Sequence, residues 1–202
     1  MTPAIFGISG LELTADERAF FTEADPAGYI LFARNCADRT QLRRLTDDLR
    51  AIHGREHLIV SIDQEGGRVA RMKPPEWQRY PAGEAFARLW DIAPASAIEA
   101  ARANAEAMGR ELAEMGITVD YHAPFDVRRP ETDEVIGDRA LGSDPCSTGW
   151  AAQAWSAASS TCRGMAARPA TRIRNCLSSL RATPSSKPIS NPSARWQRIL
   201  WG

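Results

Sequence analysis

The stretch SIDQEGGRVARM, Ser61 to Met72, holds the residues best suited by type and spacing to ligand chemistry. Asp63 directly follows an apolar run, so its carboxylate would be held at a fixed position and could accept two sugar hydroxyls in a bidentate way. The Gly66-Gly67 pair lets the chain turn sharply and leaves room for a ligand near the backbone. Arg68 and Arg71, three residues apart, are able to reach back toward the carboxylates. The same residues could instead form a buried ion network at the rim of a sheet, with no ligand at all.

The elements that must position this stretch are legible as apolar runs alternating with helical stripes. Ile5–Ile8, GYILFAR (Gly28–Arg34), HLIVSID (His57–Asp63) and GITVDYHAP (Gly116–Pro124) are predicted strands. Between them, Thr14 or Asp16 can cap a helix that runs through Ala24. Asp38–His53 carries Leu42, Leu45, Leu49 and Ile52 at helical spacing, and Ala97–Met115 carries Ile98, Ala101, Ala105, Met108, Leu112 and Met115. Gly116 closes that last helix. Apolar strands separated by helices indicate a parallel sheet with helices outside. Periodicity alone leaves two folds open, half of an eight-fold barrel or most of a doubly wound sheet. In either, ligands lie beyond the C-terminal strand ends. The polar clusters fall there: Arg34-Asn35, Asp63-Gln64-Glu65, and Asp120 to Asp126.

Several other residues admit a plain reading. His53 and His57 in HGREH are spaced like half a metal site, yet Gly54 and the lack of a third ligand favour a solvated helix-to-strand turn. His122 could touch the pocket or simply pack. Trp77 and Tyr80 in the Pro-rich segment 73–81 could line a sugar site or pack within the loop. Met108 and Met115 are core residues on a helical stripe. Cys146, Cys162 and Cys176 show no CxxC or CxxH spacing, so neither a metal nor a cofactor is expected. Cys36 alone in the front suits a reducing compartment. MTPAIFGISG lacks the marks of a signal segment, and no run approaches membrane-spanning length, so the expected location is the cytoplasm.

The 202 residues have zero net charge, but that average hides two different objects. All 25 acidic residues precede Cys146, and the 57 residues from Cys146 onward carry eight cations, ten of the 14 serines and four of the six tryptophans. The expected division is therefore 1–145 and a basic tail, 146–202. A nucleic-acid or membrane-surface arm would suit cations interleaved with Trp150, Trp155, Trp196 and Trp201. The tail has no amphipathic repeat to support that reading.

IDQEGGRV, with GYILFARN before it and VIGDRALGSDP after it, resembles glycoside hydrolase family 3. The likeness runs from about Ile5 to Pro145 and is nearest to the single-domain bacterial β-N-acetylglucosaminidases of cell-wall recycling. It implies the N-terminal half of a (β/α)8 TIM barrel and removal of terminal N-acetylglucosamine from anhydromuropeptides. It further implies that Asp63 binds sugar hydroxyls, with Arg71 and Arg139 completing the pocket; Gly137-Asp138-Arg139 matches the family's G-D/E-R pattern. Family members retain configuration, using a late Asp as nucleophile and a His–Asp pair as acid/base, in place of the usual two carboxylates.

The family's K-H-x-P-G-H-G and D-S-H segments do not occur in this chain, where His53, His57 and His122 all precede the region required. Triplets taken from the third base of each codon account for this. With permitted codon choices, Ala158 to Ala166 then reads L-K-H-M-P-G-H-G, and D-S-H follows within the next stretch. The tail after about Pro145 is therefore expected to be out of frame, accompanied by a small deletion, non-native and disordered. A chain without the acid/base loop and nucleophile is expected to be inactive. The alternatives are a non-catalytic fragment with open strand edges, or a relative acting on glucose or xylose.

Overall fold

Residues 1–55, 57–122, 126–146 and 148–149 are described by the computed structural model. Glu56, residues 123–125, Ser147 and the tail from Trp150 onward, where both motifs of the expected shifted frame would fall, lie outside the described residues.

Four strands, β1 (Thr2–Gly7), β2 (Pro26–Leu31), β3 (Ile59–Ile62) and β4 (Val119–Asp120), form one sheet in the order β1-β2-β3-β4. All three pairings are parallel, with Gly28 opposite Ile59 and Ser61 opposite Val119. Neighbours in sequence are thus neighbours in the sheet, with no reversal of strand order. That selects the barrel type over a doubly wound sheet, whose order reverses at a switch point. Helix α1 (Ala15–Ala24) joins β1 to β2, and α2 (Arg39–His53) joins β2 to β3. Two helices, α3 (Gly83–Ile92) and α4 (Pro94–Glu114), lie between β3 and β4.

Local chemistry fixes these boundaries. Thr14 caps α1 through the Glu17 amide while the Glu17 carboxylate returns to the Thr14 N–H, a reciprocal capping box. Asp38 caps α2 at the Gln41 amide, and Gly54, with φ +60°, ends it. Gly116 must turn with φ +76°, and a Cβ there would sit 2.5 Å from Thr46 Oγ1. Gly28 is required by close approach, because its Cβ would lie 2.5 Å from that of Ile59 on the next strand.

The chain divides into two compact units, Met1–Tyr80 with Ala107–Ala123, and Pro81–Glu106 with the residues from Pro124 onward. The first unit buries Tyr29, Leu31, Val60 and Ile62 from the sheet against Phe21 of α1, and Leu42, Leu45 and Leu49 of α2. Met108, Leu112 and Met115 of α4 join that core, as their spacing predicts. Trp77 and Tyr80 are buried in it too and pack within the core. Within the second unit, α3 begins against the Gly137–Arg139 3₁₀ turn, so tightly that a Cβ on Gly83 would lie 2.4 Å from the Arg139 carbonyl. An ion pair between Arg128 and Glu84, 3.1 Å apart, ties the segment before that turn to the same helix.

The solvated turn expected for HGREH is corrected at one of its histidines. His57 is exposed, but the His53 side chain is only 3% exposed, with Nε2 2.6 Å from the Tyr29 hydroxyl. Its Nδ1 lies 3.4 Å from the Asp25 carboxylate, which is also bound by Arg55 and by the terminal ammonium of Met1. Those two cations satisfy Asp25, and burial prevails at His53, lowering its pKa. Burial also pushes the Tyr29 hydroxyl up to about 12. Among the described residues no helix is long and apolar enough to cross a membrane.

Candidate active site

Buried Ser61 and Ile62 carry β3 to its C-terminal end, and Asp63 is the first residue beyond it. Gly66 and Gly67 follow with φ of 91° and 56°, conformations that a side chain disfavours. The chain therefore doubles back: Glu65 N–H donates to the Val69 carbonyl at 2.9 Å, and Gly66 and Val69 form an antiparallel bridge. This tight return sets Arg71 beside Asp63. Nη2 donates to Asp63 Oδ2 at 2.8 Å, with both side chains a little over a quarter exposed. Arg68, which the spacing also made a candidate, lies exposed.

Gln64, 1% exposed, ties the two arms of the return together. Its Oε1 accepts from the backbone N–H groups of Arg71, at 2.8 Å, and Met72, at 3.1 Å, while Nε2 donates to the Met72 carbonyl at 3.0 Å. Its own backbone is held by β4 and the residues just after it: the Gln64 N–H donates to Asp120 Oδ1 at 2.9 Å, and its carbonyl lies 3.1 Å from His122 Nδ1. That carbonyl can only accept, so His122 carries its proton on Nδ1. Burial raises the Asp120 pKa, the bonds from His122 and the Gln64 amide oppose the rise, and the nearby Asp63 charge adds to it.

The strand-end cluster after β2 has a different use. Asn35 is fully buried and donates from Nδ2 to the Ile8 and Gly10 carbonyls at 3.1 and 2.7 Å. It anchors the loop after β1 to the loop after β2. Arg34 donates to the same Ile8 carbonyl at 2.9 Å and lies 4.6 Å over the Phe32 ring. Burial drives the Cys36 thiol up to about 12 against the pull of Arg71, so it stays a protonated, unreactive group. No group of three or more His, Cys, Asp and Glu side chains among the described residues could hold a metal.

Of the three predicted binding residues, the structure brings Asp63 and Arg71 into contact. Arg139 belongs to the second unit, half-buried in the 3₁₀ turn, where Nη1 donates to the Val135 carbonyl at 3.4 Å. Gln64 as a tie between the arms was not foreseen. Its type and position give no signal, because its role arises only once the return has formed.

Residues 7–167 match the sequence pattern described as the N-terminal domain of glycosyl hydrolase family 3. The chain belongs to glycoside hydrolase family 3. The family 3 chain is 34% identical over 143 residues to a beta-hexosaminidase of Aromatoleum aromaticum, an alignment covering 71% of it and 40% of that protein. It is 37% identical over 141 residues to a beta-hexosaminidase of Xanthomonas campestris pv. campestris, covering 70% of it and 41% of the relative. It therefore spans about two fifths of the length of the curated relatives it matches. Among solved structures it is similar to NagZ from Neisseria gonorrhoeae in complex with N-trifluoroacetyl-D-glucosamine, with a TM-score of 0.74 and 28% identity. That match covers 80% of this family 3 chain and 47% of the Neisseria protein. A family 3 beta-N-acetylglucosaminidase from Paenibacillus sp. gives a TM-score of 0.67 at 29% identity, over 76% of this chain and 29% of that one.

Proposed function

We propose that this chain is the sugar-binding N-terminal half of a retaining exo-β-N-acetylglucosaminidase acting on peptidoglycan or anhydromuropeptide fragments in the cytoplasm. The observation that carries the reading is the Asp63–Arg71 pair, 2.8 Å apart at the C-terminal end of β3. There a carboxylate is fixed by a guanidinium yet keeps acceptor capacity for hydroxyl groups. Arg139 is the third binding residue of the reading. The beta-hexosaminidase relatives and the N-trifluoroacetyl-D-glucosamine complex of the Neisseria protein support N-acetylglucosamine as the sugar.

The same reading holds the chain itself to be inactive. Proton delivery to the leaving oxygen and covalent capture of the sugar each need a placed side chain. The segments that would supply the acid/base His and Asp do not occur in the chain as translated; with permitted codon choices, the shifted frame beneath the tail would spell them. The D-S-H reading there favours an acetylglucosaminidase over a glucosidase or xylosidase. Incubation with p-nitrophenyl N-acetyl-β-glucosaminide is expected to release no p-nitrophenol above the uncatalysed rate. Release near the rate of an intact relative would overturn this. Resequencing across codons 140 to 165 is expected to recover an intact downstream frame, and a confirmed single frame through the tail would sink the frame-shift account.

A further inference from the structure

The Asp63–Arg71 contact is itself flanked by residues that hold the backbone around it. Gln64 bonds the backbone of Arg71 and Met72 through its side chain, and is bonded in turn by Asp120 and His122 through its own backbone. Both supporting side chains are largely buried, at 15% and 11% exposure. The His122 ring has its outer nitrogen, Nε2, enclosed in the protein. Asp120 Oδ2 lies 3.6 Å from His122 Nδ1, so the two groups also steady one another. Burial of the Asp120 carboxylate is tolerated because the Gln64 amide and His122 both donate toward it.

We propose that Gln64, Asp120 and His122 act as positioning residues, fixing the backbone on both arms of the Gly66-Gly67 return so that Arg71 meets Asp63 in one geometry. A turn with two successive positive-φ glycines has many accessible states. The Gln64 side chain selects the one in which residues 63 and 71 face each other, and Asp120 of β4, with His122 just beyond it, locks Gln64 to the sheet. The proposal rests on the sugar-binding reading only for what the pair holds.

Amide hydrogen exchange on the full chain tests it, with the Leu49 amide of α2 as reference. Asp120→Leu removes the acceptor of the Gln64 amide, and is expected to speed exchange at Gln64, Arg71 and Met72 about tenfold or more while Leu49 is unchanged. Asp120→Asn keeps an oxygen at Oδ1 and should restore protection to within about threefold of the parent chain. Gln64→Ala should release Arg71 and Met72, and Gln64→Glu, which keeps the accepting oxygen, should hold them. His122→Phe should speed exchange at Gln64 by a smaller factor, about threefold. The proposal is overturned if Leu49 accelerates equally, if Asn behaves as Leu at position 120, or if the parent chain shows no protection at Gln64. An exchange pattern as expected, in a chain that does not bind N-acetylglucosamine, would fail the sugar-binding reading and leave the positioning roles standing.

Discussion

The two ends of one parallel sheet solve opposite problems with similar residues. At the N-terminal end, Asp25, Arg55, His53 and Tyr29 form a network in which the acid is saturated by cations and the histidine is sealed against a tyrosine. At the C-terminal end, Asp63 and Arg71 remain over a quarter exposed, and the burial falls on the residues behind them, Gln64, Asp120 and His122. Each end holds an acid, an arginine and a histidine. Both charged pairs are partly exposed over buried support, so the lesson lies in saturation: Asp25 is met by Arg55 and the terminal ammonium, whereas Asp63 is met by Arg71 and keeps acceptor capacity at the strand end where ligands lie.

The largest test of that contrast is truncation of the buried member. Tyr29→Ala should cost about 3–5 kcal/mol in denaturant unfolding, because it empties a fully buried ring site. Asp63→Ala, by contrast, should cost about 1 kcal/mol or less, since a partly exposed pair contributes little. Equal losses at the two ends would break the comparison. His53→Ala should fall between them, at about 1–3 kcal/mol, by leaving the Tyr29 hydroxyl buried without its partner.

Titration gives a smaller effect of opposite sign at each end. His53 has its pKa lowered by burial, so its folded form favours the neutral ring. Its contribution is present above the ordinary histidine value of about 6.5 and is lost as pH falls through the lowered folded value. The melting temperature should therefore drop below about pH 6.5, and less so in His53→Phe. Asp120 has its pKa raised, so its contribution is full below the ordinary carboxylate value and diminishes as pH rises through the raised one. Asp120→Asn should thus melt slightly higher than the parent at pH 7 and equal to it in acid. A lower melting point for Asp120→Asn at pH 7 would show that the carboxylate charge stabilises this end after all.

The sequence made some of this legible and hid the rest for physical reasons. The stripes Leu42-Leu45-Leu49 and Met108-Leu112-Met115 declared α2 and α4, because a buried helix face must repeat every three or four residues. Helix α3 escaped notice: it follows a Pro-rich loop and starts at Ala82, which offers no side-chain cap. The strand expected over Gly116–Pro124 is a two-residue β4 within the described residues. Just before it, Thr118 uses its hydroxyl as well as its backbone to meet Val60. Asp63 was readable because it follows a buried strand and precedes two glycines, but spacing left Arg68 and Arg71 both open as partners, and only the resemblance to family 3 singled out Arg71. His53 was misread because Tyr29, its partner, lies 24 residues away and no local pattern connects them.

The most direct test of the ligand-binding end is a titration of the isotope-labelled chain with N-acetylglucosamine, followed at backbone amides. The account predicts shifts concentrated at Asp63, Gln64 and Arg71, absent at Tyr29 and His53, and abolished by Asp63→Ala without loss of the folded spectrum. Shifts that persist in Asp63→Ala, or that appear at the Tyr29–His53 end instead, would contradict it.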